Sequence, residues 1–153
     1  MAKYYNTSIK NLVYRLRKFK PVLDQFLREE VEKNADYLTD VIKIQLNMGL
    51  DGFLDEIQPS YAPRTIRAKI KKGQPTDRVT LKDTGKFYGS LYVEFDEGGF
   101  RILSKDEKVK YLVSRYGQAI LRLSNEDLNR LLRMYVRPAL TEKMKNYLQN
   151  EGT

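Results

Sequence analysis

The sequence contains no cysteine and no histidine. The first absence removes disulfides, thiolate metal sites and thiol nucleophiles, and the second removes the commonest general base and the commonest zinc ligand. No apolar run approaches the roughly 20 residues that a membrane-spanning helix needs, so no membrane partner is expected. The N-terminal stretch carries Tyr4, Tyr5, Asn6 and Ser8 where a secretory signal needs an apolar block, and the product is expected to be cytoplasmic when made. No low-complexity tract interrupts the 153 residues, of which 41% are hydrophobic and 31% charged. That composition predicts a single domain spanning 1–153, because the length suffices for one core and is short for two.

Charge is plentiful and unevenly placed. Residues 1–20 carry +6, residues 21–60 carry −6, residues 61–90 carry +6 and residues 91–153 carry +2, giving the net +8. Alternating blocks of this kind suit contact with complementary charged surfaces, whether nucleic acid, neighbouring proteins or copies of the same chain. The plainer alternative is a solvated surface.

Apolar spacing predicts an α+β fold. Ile9, Leu12, Val13, Leu16 and Phe19 recur at helical intervals, with Ser8 placed as an N-cap. Pro21 should interrupt that helix and open a second over 22–47, whose stripe is Leu23, Phe26, Leu27, Val31, Ala35, Leu38, Ile42 and Leu46. Its outer side is acidic through Glu29, Glu30, Glu32, Asp36 and Asp40, and Gly49 and Gly52 mark its end. These N-terminal helices (1–47) precede a basic helix and loop region (61–90), with a short helix over 61–72 begun by Pro63. Alternation of Leu91, Val93 and Phe95 with Tyr92 and Glu94, followed by a Gly98-Gly99 turn, predicts a hairpin over 91–104. The Ala119-Ile120-Leu121 run is a candidate extra strand in the region 91–123. Ser124 and Asp127 resemble a capping pair opening a C-terminal helix (124–149), which Pro138 should kink.

Several short motifs touch on chemistry. Asp83-Thr84-Gly85 is the triplet of aspartic proteases. Here Lys82 and Lys86 flank it, and the helices contradict an all-β protease, so an aspartate turn capping a short helix is the better reading. Gly85-Lys86 lacks the first glycine and the following hydroxyl of a phosphate-binding loop, since Thr80 and Phe87 stand there. Asp51, Asp55 and Glu56 could hold magnesium, but acidic loop residues are usually only solvated. No catalytic residue, metal ligand, cofactor or small-molecule substrate is expected. The run Arg64, Arg67, Lys69, Lys71, Lys72, Arg78, Lys82 and Lys86 is the best nucleic-acid or partner surface, although it matches no base-reading motif. Glu29, Glu32, Asp36 and Asp40 form the corresponding acidic partner surface.

The order of motifs is more telling than any one of them. Tyr61-Ala62-Pro63-Arg64-Thr65, then basic residues and Gly73, then Leu81-Lys82-Asp83-Thr84-Gly85-Lys86-Phe87-Tyr88-Gly89-Ser90-Leu91 resembles the phage virion morphogenesis or tail-completion family. Tyr116-Gly117 stands where that family has a Phe-Gly turn, and residues Ala119 to Asp127 look like its entry to the last helix. The resemblance covers about residues 58–136. Gln118-Ala119 replaces an expected Arg-Pro, Arg122 a glycine and Phe87 a leucine.

The resemblance implies a structural part of a phage or prophage particle, assembled in the bacterial host cytoplasm and joining the virion at the head-proximal end of the tail or at the neck, the head-tail junction. Its partners would be copies of itself in a ring and other tail or neck proteins. Rings use head-to-tail interfaces, in which one patch meets a different patch on the next copy. The charge blocks suggest that the acidic face of 24–40 lies near a basic segment, 3–20 or 64–86, of a neighbour. The alternative is a nucleic-acid-binding module using 64–86, with possible non-specific DNA contact in either case; a metal-dependent nuclease comes third.

Overall fold

The computed structural model describes residues 9–97 and 99–150, with side chains from residue 13 onward. The elements run α1 (Ile9–Lys33), α2 (Ala35–Asn47), α3 (Pro63–Lys71), α4 (Lys86–Gly89), β1 (Leu91–Asp96), β2 (Gly99–Ser104), α5 (Val109–Tyr116), α6 (Asn125–Leu131) and α7 (Arg137–Asn150). Helices around one antiparallel hairpin make this an α+β fold, as expected. Among the described residues no helix is long and apolar enough to cross a membrane.

The centre of the core is α2, whose Leu38, Ile42 and Leu46 are completely buried. Their spacing of four residues stacks them on one face, where they meet Leu91 and Ile102 of the hairpin together with Phe87, Ile120, Leu131 and Val136. Burying each aliphatic side chain contributes about 1.5–3 kcal/mol. β1 and β2 pair Val93 with Ile102 and Phe95 with Phe100, so the alternation read from the sequence places the apolar residues of both strands on one face. The opposite face carries Glu94 and Arg101, directly across from each other and 3.3 Å apart.

Three sequence expectations need correction, and one lies partly out of reach. Pro21 does not end the first helix: α1 continues through it, because only the carbonyl of Arg17 loses its N–H partner and the proline sits on the exposed side. The break falls at Asn34 instead. Its side-chain amide donates to the carbonyl of Glu30 at 2.8 Å while its backbone N–H turns to Val31 at 3.1 Å, which diverts the helical ladder. Val13 and Leu16, expected on the core face, stay 42% and 44% exposed while Phe19 is buried against Tyr147 of α7. Ala119-Ile120-Leu121 is a 3-10 turn rather than a strand. The proposed N-cap Ser8 lies outside the described residues.

The C-terminal helix starts as expected: the Ser124 hydroxyl accepts the N–H of Asp127 at 3.1 Å and donates to its carboxylate at 2.7 Å. Before Pro138 the helix widens into a π turn over Leu132–Val136. The missing proline donor is thus absorbed by a change of winding rather than by a break.

Candidate functional site

The segment Leu81–Leu91 and the basic helix α3 come together around two tyrosines. Tyr61, just ahead of α3, accepts the N–H groups of Thr80 and Leu81, both at 3.0 Å. Tyr88 donates to the Thr80 carbonyl at 2.6 Å, and burial pushes its phenol pKa up. These bonds hold Leu81 at φ 55, a left-handed conformation that a branched residue adopts only when its surroundings impose it. Thr84 accepts the N–H of Lys86 at 3.4 Å across Gly85, which opens α4. The turn is therefore a threonine turn, and the Asp83 carboxylate does not cap the helix.

Lys69 leaves the predicted surface. It is 5% exposed, and its ammonium donates to the Lys82 carbonyl at 2.6 Å and to Gln74 at 3.2 Å while lying 4.8 Å over the Tyr61 ring. Its role is to fasten α3 to the threonine-glycine segment, because a buried ammonium must have its donors satisfied. Lys72 is likewise engaged, pairing with Asp83, which Lys108 approaches at 4.0 Å. The hydrogen bond from Lys72 holds the Asp83 carboxyl below its ordinary pKa, against a smaller opposing effect of burial. Arg78 donates to the Asn47 carbonyl at 2.8 Å and to Asp77 at 2.9 Å. Arg64, Arg67 and Lys71 stay exposed on α3, as do Lys82 and Lys86 beside the threonine-glycine turn.

Between these elements and α5 lies a cavity of roughly 340 Å³, lined by Tyr61, Asp83, Gly85, Lys86, Lys108, Tyr111 and Arg115 among others. The reading of the sequence missed α5. Its signal is the spacing of Lys108, Tyr111, Leu112, Arg115 and Tyr116, which brings cations and aromatics onto one helical face. Arg115 stacks 5.4 Å over Tyr116, and hydrogen bonding to that tyrosine raises the arginine's pKa further. Exposed cations around aromatic walls can take up a carboxylate or a phosphate.

The acidic surface is divided by the break at Asn34. Glu29 accepts from Gln25 at 2.8 Å, and Asp40 pairs with Lys43 at 2.8 Å. Glu32 and Asp36 are exposed. Glu30, counted with them from the sequence, is 9% exposed and pairs with Lys33 at 3.3 Å. Asp51 accepts the N–H groups of Phe53 and Asp55 at 2.8 and 3.2 Å, so its carboxylate shapes a turn.

A second concave surface, also missed, runs along the outer side of α2 over Val41, Ile44, Gln45 and Met48 to Leu54 and α6. Ile44, Met48 and Leu54 are 61%, 59% and 46% exposed. Gln45 is buried, and its amide donates to the Arg122 carbonyl at 3.1 Å while its Oε1 has no protein partner among the described residues. No family model, curated protein or solved structure matches this chain.

Proposed function

We propose that the protein is a structural virion-assembly component of a bacteriophage or prophage, acting in tail completion or head-tail joining through protein-protein contacts in a closed ring. The observation that carries the reading is the set of large apolar side chains left on the surface. Ile44, Met48, Phe53, Ile70, Tyr111 and Met134 are all more than half exposed. Surface of this kind marks protein-protein contact. The family-like order of Tyr61–Thr65, Leu81–Leu91 and Tyr116–Asp127 supports the particular assembly named. Native mass spectrometry of the purified chain tests it: a closed oligomer of defined copy number is expected, and a monomer at every concentration up to the solubility limit overturns it.

One observation favours nucleic acid as a second reading. Arg64, Arg67 and Lys71 follow at three- and four-residue spacing on one side of α3, and with Lys86 they have no protein partner among the described residues. Four phosphates contacted through these side chains would give a log-log salt slope of about −3.6. A gel-shift titration with no duplex binding at low salt removes this reading.

A further inference from the structure

The outer side of α2 and the first turns of α1 are complementary in shape of pattern and in charge. On α2, Asp36, Asp40, Ile44 and Met48 follow at intervals of four, so one exposed row passes from carboxylates to large apolar side chains. On α1, Val13, Leu16, Arg17 and Lys20 share one face, which passes from apolar side chains to cations. That face is turned away from α7, because Phe19 and Phe26 on the other side of the helix are the ones that meet Tyr147 and Lys143. Laid antiparallel, the two rows match apolar to apolar and cation to carboxylate. Their lengths agree: Val13 to Lys20 and Asp40 to Met48 each span roughly 10–12 Å of helix.

We propose that the groove on α2 receives the N-terminal part of α1 from a second copy of this chain, with Val13 and Leu16 seated on Met48 and Ile44, and Arg17 and Lys20 facing Asp40. The inference rests on the assembly reading above and names the two patches that meet. Asp40 is 65% exposed in its pair with Lys43, and such a pair is cheaply exchanged for an intermolecular one. Because the two patches differ, each copy offers a free groove at one side and a free helix at the other, which is the geometry of a ring.

The absence of cysteine makes the test direct. Chains bearing Val13→Cys are mixed with chains bearing Met48→Cys under mild oxidation, alongside a Lys71→Cys and Met48→Cys mixture. The 13–48 disulfide is expected to dominate over the homodimers and over the 71–48 product. Separately, Ile44→Asp changes an exposed side chain and leaves the thermal melt in place, yet it should weaken association on the order of 100-fold, as loss of a central apolar contact does. Lys20→Asp should weaken it as well, and adding Asp40→Lys to that variant should restore part of the loss. An oligomer that forms no 13–48 bond and ignores Ile44→Asp overturns this interface while leaving the assembly reading standing. Preferential 71–48 linkage overturns it too, by assigning the groove to another segment. A wild-type chain that never associates overturns both.

Discussion

α2 and α7 are nearly equal in length, at 13 and 14 residues, yet six residues of α2 are buried and none of α7 is. The reason lies in position rather than in propensity. α2 sits between the hairpin and α6, where every side of its apolar row meets another element. α7 touches the rest of the protein chiefly along α1, through the Phe19–Tyr147 ring pair at 5.0 Å, Lys143 over Phe26 at 5.9 Å and the bond from Arg15 to the Leu148 carbonyl at 3.3 Å. One helix therefore carries the fold, and the other belongs to a two-helix arm with surface to spare. Helices of the second kind are stabilised by what docks on them.

The sharpest break of this comparison is a pair of truncations. Leu38→Ala on α2 removes a fully buried side chain and should cost about 2–5 kcal/mol in urea unfolding, since the core packed against that face of the helix relaxes only partly into the cavity. Met144→Ala on α7, where the side chain is 38% exposed, should stay within about 0.5 kcal/mol for the unassembled chain. Equal losses would mean that the arm is part of the same core.

Next in size is Gly52→Ala. Gly52 donates its N–H to the Ala119 carbonyl at 2.9 Å, and an added methyl would stand 2.4 Å from Arg122 Cβ and 2.5 Å from its carbonyl oxygen. Neither backbone can give way without releasing the turn that seats Ile120, so a loss of about 1–3 kcal/mol is expected in the same measurement. A neutral substitution would show that the 49–57 loop is loosely docked, and would place it with the arm rather than with α2.

The two regions were also unequally legible in the sequence. The hairpin could be read because its alternation is strict and its partner strand is local, and the start of α6 because Ser124 and Asp127 lie within one turn of each other. The break at Asn34 could not, since proline is the louder signal and the deciding bond depends on an asparagine side chain choosing the carbonyl of Glu30 over water. The run 119–121 is too short for periodicity to separate strand from turn, and its conformation follows from docking against Gly52, far away in the chain. For the site the basic segment was visible as a group, but its members were not distinguishable. Lys69 and Arg67 look alike in a row of cations; only the Tyr61 ring and the Lys82 carbonyl separate the fastener from the free charge. The groove on α2 was hidden because Ile44 and Met48 fall off the core stripe, where an apolar residue usually means nothing by itself.

That distinction within α3 repeats, on a smaller scale, the contrast between α2 and α7. Lys69→Met keeps the length of the side chain while removing its donors to Lys82 and Gln74, and should cost about 1–3 kcal/mol. Arg67→Met, on an exposed position, should leave stability within about 0.5 kcal/mol and act only on whatever partner the surface meets. Chemical denaturation of the two variants side by side checks the pair, and similar losses would contradict the assignment of Lys69 to the interior.

The smallest effect belongs to Asp83. Its carboxyl titrates below the ordinary value of 3.8 because Lys72 donates to it and Lys108 stands near. A depressed folded pKa stabilises the protein above the unfolded value, and the contribution disappears as pH falls through the folded one. With both partners about half exposed, solvent screening limits it to less than about 1 kcal/mol. Asp83→Asn should accordingly melt slightly below the wild type at neutral pH. The gap should begin to shrink as pH falls past 3.8 and close only below the depressed folded value, where the wild-type carboxyl is itself protonated, and it should narrow in high salt. A gap that persists unchanged into acid would mean that Asp83 acts through its shape in the turn rather than through its charge, and the Lys72 pair would then count for nothing in joining α3 to the threonine-glycine segment.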